Sequence, residues 1–247
     1  MSIEHRFKSI VITGASSGIG AELARQLACE NVVLCLFGRN EARLRAVADD
    51  CRQKGAMVHI RLIDVTDRGA MADSLSELDD EHSFDLIIAN AGIGKSYEDP
   101  EFLRQTIDVN VIGVLNTLEP LLDRIKVRGN CQIGLMSSLA AFRAIGGPAG
   151  YAGSKAWVRL YGEALRARMA KYCVGVSVIC PGFVDTPMVE TAPKQFPALD
   201  VEQAACHIIE GLDRNKGRIV FPTKFKLYIW LISALPASLV DWFYIKK

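Results

Sequence analysis

Three side chains in the second half of the sequence are of types that can hold and move a proton: Ser138, Tyr151 and Lys155. A Gly/Pro-rich loop, Gly146-Gly-Pro-Ala-Gly150, precedes the tyrosine. After it Ala152, Ala156, Trp157, Leu160, Ala164 and Leu165 recur at close to helical spacing. Tyr151 and Lys155 therefore stand one turn apart on one face of a helix. A free phenol titrates near pH ~10. An ammonium beside it favours the phenolate and lowers that value, toward the range where a general base is useful. With six tyrosines in the chain, a Tyr-x-x-x-Lys pair arises by chance about 0.3 times. The weight of the pair rests on its surroundings.

Those surroundings begin at the other end of the chain. The apolar run 9–12 leads into Thr13-Gly-Ala-Ser-Ser-Gly-Ile-Gly20 and then into a helical stretch with Leu23, Ala24, Leu27 and Ala28. A strand, a glycine turn and a helix N-terminus together make an anion site, because unpaired backbone N–H groups and the helix dipole face the loop. Gly14 permits the tight turn, Gly18 lets a pyrophosphate approach the backbone, and Gly20 lets the helix pack on the strand. The spacing is Gly-x-x-x-Gly-x-Gly rather than Gly-x-Gly-x-x-Gly, and a turn without a ligand is the alternative reading.

A second strand-like run, 32–37, ends in Gly38-Arg39-Asn40. A carboxylate there would suit a ribose 2′-hydroxyl, whereas an arginine suits a 2′-phosphate. No acidic residue comes before Glu41, so Arg39, with Arg43 one turn on, points to NADP(H) ahead of NAD(H); a solvated loop arginine is the alternative. The third run, 57–63, ends at Asp64-Val65. Asp64 is read as a cap for the next helix or as an acceptor for an adenine amine. The fourth run, 84–89, leads to Asn90-Ala91-Gly92, which could lie against a cofactor or be a plain turn.

Residues 101–127 read as one helix or two, with Asn110 in the middle of the apolar pattern. A mid-helix Asn competes for backbone partners, and such rule-breaking positions are often functional. The fifth and sixth runs, 131–136 and 174–179, lead to Ser137-Ser138 and to Pro181-Gly-Phe-Val-Asp-Thr186-Pro187. Asp200-Val-Glu-Gln203 has the form of a helix cap, and 218–221 is a last strand. Seven alternations of strand and helix without a linker predict a single α/β domain built on a parallel, doubly wound sheet. The singled-out residues sit at the C-terminal ends of strands, where ligands bind in such sheets.

Composition narrows the function. Of 247 residues half are hydrophobic, enough for a large core, and the net charge of +1 gives no reason to expect nucleic-acid binding. The seven cysteines form no Cys-x-x-Cys pair, and neither they nor the four histidines match a zinc spacing, so no metal is expected. Unpaired cysteines in apolar runs and the polar start of the chain predict a reduced, cytoplasmic protein without a signal peptide.

Taken together, the 13–20 loop, Asn90-Ala-Gly92, Asn110, Ser138, Tyr151-x-x-x-Lys155 and Pro181-Gly182 resemble the short-chain dehydrogenase/reductase family over about residues 8–221. The resemblance implies a Rossmann-like fold and a nicotinamide cofactor. It implies Tyr151 as proton donor or acceptor, with Lys155 holding the nicotinamide ribose and depressing the tyrosine pKa. Ser138, 13 residues before Tyr151, would bond the reacting oxygen, and Asn110 would support a water relay to Lys155. It extends the cofactor contacts to Ser16, Ser17, Ile19, Val65, Ala91, Val184 and Thr186, the last at the carboxamide. The substrate would be a carbonyl or secondary alcohol, fairly apolar given Phe142, Ile145, Phe183, Met188 and Phe196. Residues 222–247 depart from the family pattern as an apolar extension with two short amphipathic helices, read as a lid, a subunit interface or a membrane-surface contact. A homodimer is expected. Two rival readings stand beside the enzyme: a non-catalytic cofactor-binding sensor or scaffold, and a membrane-surface reductase of lipid-like carbonyls.

Overall fold

Every residue of the first strand, β1 (Ser9–Thr13), is buried, because both faces of its sheet are covered. Ile10 and Ile12 point into one core and Val11 into the other, the two-residue period of a strand. The computed structural model describes residues 6–95, 98–143, 148–187, 198–222 and 235–236. Six further strands follow: β2 (Val33–Phe37), β3 (Met57–Arg61), β4 (Leu86–Ala89), β5 (Gln132–Met136), β6 (Gly175–Pro181) and β7 (Arg218–Phe221). All pair in parallel in the order β3-β2-β1-β4-β5-β6-β7. The chain winds one way from β1 through β2 to β3 and the other way from β4 onward. The crevice between the carboxyl ends of β1 and β4 is therefore the topological switch point where such sheets take ligands.

Helices α1 (Gly18–Leu27), α2 (Glu41–Gln53) and α3 (Arg68–His82) connect the early strands. The helical region expected over 101–127 divides. It comprises α4 (Pro100–Ile107), one wide π turn (Asp108–Ile112) and α5 (Gly113–Arg128). Then come α6 (Ala149–Met169) and α7 (Val201–Asp213). One core lies under α1, α2 and α7, the other under α3, α5 and α6. Asp200 is the N-cap residue of α7, as the form of 200–203 leads one to expect, but its side chain makes no capping bond.

Ile145, Met188, Phe196 and nearly all of the extension from 223 onward lie outside the described residues. Leu235 is described, and its carbonyl accepts a hydrogen bond from Arg143 Nη2 at 3.2 Å. Among the described residues no helix is long and apolar enough to cross a membrane.

Candidate active site

The glycine loop turns as its spacing requires. Gly14 and Gly18 have φ of +68° and +54°, in the left-handed region that glycine tolerates. A Cβ on Gly20 would collide with the Gly14 carbonyl and the Asn90 amide. Ser17 caps α1 in extended backbone without a side-chain bond, so the first-turn amides keep their N–H groups for a ligand. The end of β1 is tied to the end of β4. Thr13 Oγ1 accepts from the N–H groups of Asn90 and Ala91 (3.1 and 3.2 Å), and Asn90 Nδ2 donates to the carbonyls of Thr13 and Gly14 (3.0 and 3.2 Å).

At the end of β2, Arg39 Nη1 pairs with Asp64 Oδ2 at 3.0 Å, with the Arg39 side chain 65% exposed. Asp64 Oδ1 meanwhile accepts from the N–H and hydroxyl of Thr66 (3.0 and 2.9 Å). Asp64 is therefore not the cap of α3; Asp67 is, accepting from Ala70 N–H. Partial burial raises the Asp64 carboxyl, but the Thr66 bonds and Arg39 together hold it below its ordinary value.

Tyr151 lies in the first turn of α6, and Gly150 N–H donates to Glu98 Oε2 at 2.6 Å. The Ser138 hydroxyl stands near enough to the phenol to favour its anionic form. Lys155 Nζ stands 5.8 Å from the centre of the Tyr151 ring and donates to the Met136 carbonyl at 3.0 Å. The sequence reading expected the ammonium to lower the phenol pKa; here the phenol is raised instead. Burial disfavours the phenolate more than the Ser138 hydroxyl favours it. Burial also lowers Lys155, to about 8. Ser137 is buried and donates to the Lys155 carbonyl at 2.7 Å, so of the two serines only Ser138 meets the phenol.

Asn110 sits in the wide turn and is fully buried. Its Oδ1 accepts from Ile93 N–H (2.8 Å), and its Nδ2 donates to the Ile93 carbonyl and to Ser154 Oγ (both 3.0 Å). Both amide protons are used and one oxygen lone pair remains. Gly92 separates this amide from the lysine: a Cβ there would lie 3.0 Å from Lys155 Nζ and 3.1 Å from Asn110 Oδ1.

A cleft of about 400 Å³ joins these parts. Gly14, Ser16, Ser17, Gly18, Ile19 and Gly20 line it from the loop, together with Arg39, Arg43, Asp64, Val65, Asn90, Ala91 and Gly92. Ser138, Tyr151, Lys155, Pro181, Gly182, Val184 and Thr186 also line it. Asn110 does not reach the wall and acts from behind Gly92. Phe142 and Phe183 do not line it either; Arg159 and Arg218 lie over the Phe142 ring at 4.8 and 5.2 Å.

A family model described as short chain dehydrogenase matches residues 8–196. The chain belongs to the short-chain dehydrogenase family. An uncharacterised oxidoreductase of Myxococcus xanthus is 32% identical over 244 residues, covering 96% of both chains. One of Mycobacterium tuberculosis is 32% identical over 223 residues, covering 87% of this chain and 88% of its own. Among solved structures, a short-chain dehydrogenase from Sphingobium yanoikuyae in complex with NADPH superposes with a TM-score of 0.82 at 24% identity, over 93% of this chain and 97% of its own. An alcohol dehydrogenase from Thermococcus sibiricus complexed with 5-hydroxy-NADP does so with 0.78 at 27%, over 87% and 95%.

Several residues that shape this dehydrogenase's cleft escaped the sequence reading. Ile93 and Met136 hold Asn110 and Lys155 through backbone atoms, which side-chain patterns do not announce. Glu98 reaches α6 from 52 residues away. Thr13 alone carried a signal, as the first residue of the glycine motif.

Proposed function

We propose that this short-chain dehydrogenase is an NADP(H)-dependent oxidoreductase interconverting a carbonyl compound and an alcohol. The observation that carries the reading is the meeting of Ser138, Tyr151 and buried Lys155 on a cleft that also takes in the 14–20 loop. The residues present suit a dinucleotide. The open first-turn amides of α1 would hold a pyrophosphate. Lys155 has three N–H donors, and one meets the Met136 carbonyl, which suits the others to ribose hydroxyls. Arg39 and Arg43 would meet a 2′-phosphate. The Sphingobium and Thermococcus structures, which hold NADPH and 5-hydroxy-NADP, support this choice.

A bound nicotinamide supplies the hydride in reduction and takes it in oxidation. The chain's own part is proton handling. As the carbonyl oxygen gains charge, the Ser138 hydroxyl donates a hydrogen bond to it, and the phenol O–H of Tyr151 passes its proton to that oxygen. Burial keeps the phenol protonated, the form a donor needs. The Lys155 ammonium stabilises the phenolate left behind. In oxidation the same groups run in reverse. A fairly apolar substrate is the class we favour, with Ile93, Val109 and Pro187 on the cleft wall as its support.

NADPH consumption over ketones and aldehydes graded by size and polarity tests the reading. Turnover that disappears in Tyr151→Phe supports it. NADPH binding without turnover on any carbonyl would turn the assignment to a sensor or scaffold.

A further inference from the structure

Outside the cleft, His59 on β3 and His82 at the end of α3 bring their Nε2 atoms to 2.9 Å of each other. A Glu81 carboxylate oxygen lies 3.4 Å from His82 Nε2, and all three ligand atoms fall within 4.8 Å. None of the three residues lines the cofactor cleft. We propose that His59, His82 and Glu81 form a binding site for a divalent transition-metal ion, which ties the edge strand β3 to the end of α3.

The alternative is a hydrogen bond between two neutral rings, and the carboxylate argues against it. His82 Nε2 has a ring nitrogen on one side and a carboxylate oxygen on another, and a single N–H cannot lie along both lines. A single N–H between the rings leaves the carboxylate oxygen without a bond inside the cluster, whereas a cation satisfies all three atoms. Two nitrogens bound at about 2.0–2.1 Å and near 90° to each other on one ion stand about 2.9 Å apart. That angle is the cis angle of tetragonal ions such as Ni²⁺ and Cu²⁺, which favour imidazole and carboxylate. Small ring movements would open it for Zn²⁺.

The surrounding charges permit an ion. The nearby cations are engaged elsewhere: Arg61 with Ser74 and Glu77, Arg52 with Asp49 and the Val58 carbonyl. The Glu81 side chain is 59% exposed, which leaves an entry path. The sequence reading expected no metal because it sought Cys/His pairs at short spacing. These histidines lie 23 residues apart and meet only through the fold.

The test is Ni²⁺ titration of the untagged, EDTA-stripped full-length protein by calorimetry, with Zn²⁺ in parallel. One Ni²⁺ per chain is expected. His59→Gln and His82→Gln should each weaken binding by more than the roughly 10–100-fold that loss of an outer partner costs, and Glu81→Gln by less. Ni²⁺ should raise the wild-type Tm, since only the folded chain presents the site, and leave NADPH turnover unchanged. Should either histidine variant fail to fold, Ni²⁺ protection of His59 and His82 from diethylpyrocarbonate in the wild type gives the same answer by mass spectrometry. An absence of binding to the wild type overturns the site. So does binding that persists in the double variant, which would place the ion on other groups such as the exposed Cys173 and Cys206.

Discussion

The Asn110 side chain holds both backbone polar groups of Ile93, accepting from its N–H at 2.8 Å and donating to its carbonyl at 3.0 Å. Its second amide proton goes to Ser154 Oγ, which itself donates to the Tyr151 carbonyl at 2.8 Å. The wide turn that carries Asn110 is thus linked to the strand end after β4 and to the helix of Tyr151 and Lys155. Asn110→Ala leaves the Ile93 N–H and carbonyl without these partners inside the protein, at a cost of about 1–3 kcal/mol. We expect a lower urea midpoint and a fall in kcat larger than the loss of folded protein explains. An unchanged midpoint would mean that the turn is held by other contacts.

Tyr151→Phe removes the hydroxyl that meets Ser138 and keeps the ring. Loss of a positioned general acid typically costs about 10²–10⁴ in rate. The expected result is that loss in NADPH-dependent reduction, with NADPH binding and Tm close to wild type. Retention of a tenth or more of the activity would assign the proton to another group.

How far these side chains could be foreseen follows from what a linear pattern contains. Seven apolar runs alternating with helical ones sufficed for the sheet, because strands buried on both faces must be apolar throughout. The cleft residues were legible because strand ends and the glycine loop mark themselves by type. Burial was not legible. Tyr151 and Lys155 at helical spacing suggested an acidified phenol, yet desolvation, which only the folded surroundings create, pushes it the other way. The same limit applies to Leu160, which fits the apolar spacing of α6 but lies 58% exposed. The Arg39–Asp64 pair joins two loops 25 residues apart, and no local pattern couples them.

Lys155 gives the pH dependence its direction. Its ordinary value of 10.5 falls to about 8 in the folded protein through burial. Between those values Lys155 is protonated in the unfolded chain and not in the native one, so its own contribution to stability rises with pH across that window. Below pH 8 both states are protonated, and the full cost of the buried ammonium, on the order of 3 kcal/mol, is present. Lys155→Met should therefore be more stable than wild type at pH 7 and lose the rise between 8 and 10.5, while losing turnover. The wild-type kcat/KM for reduction, which reports the free enzyme, should decline as pH rises through about 8. Denaturation curves of wild type and Lys155→Met at pH 7, 8 and 10 check the first statement through their difference. The buried thiols of Cys35, Cys51, Cys131 and Cys180, all pushed above 9.0, lower both curves alike at high pH. A stability gap between the two that does not narrow from pH 8 to 10 contradicts that statement.

Glu98 does for α6 what its N-cap does not. Pro148 offers no side-chain oxygen to the first turn, and Glu98 Oε2 accepts from Gly150 N–H next to Tyr151. Glu98→Ala should cost about 1 kcal/mol, the usual worth of a capping bond, and should lower kcat more than it raises KM for NADPH. Glu98→Gln keeps an amide oxygen for the bond and should restore most of both. If the glutamine variant fares no better than alanine, the carboxylate acts through its charge rather than as a cap.

On the proposed reading cofactor choice would turn on the Arg39–Asp64 pair, where a 2′-phosphate would compete for the arginine. An exposed ion pair contributes only about 0.2–1 kcal/mol, whereas a hydrogen bond to a charged group contributes about 1.5–3 kcal/mol. On that reading a 2′-phosphate would displace Asp64 from the guanidinium with a net gain. Arg39→Ala should raise the Kd for NADPH by roughly 2–100-fold, by the same arithmetic, and change that for NADH little. Asp64→Asn should tighten NADPH binding, because it frees Arg39 and removes a negative charge beside the phosphate. Isothermal titration with both cofactors against both variants decides it. A NADPH-to-NADH ratio that Arg39→Ala leaves unmoved would take the arginine out of the discrimination and return it to the solvated loop.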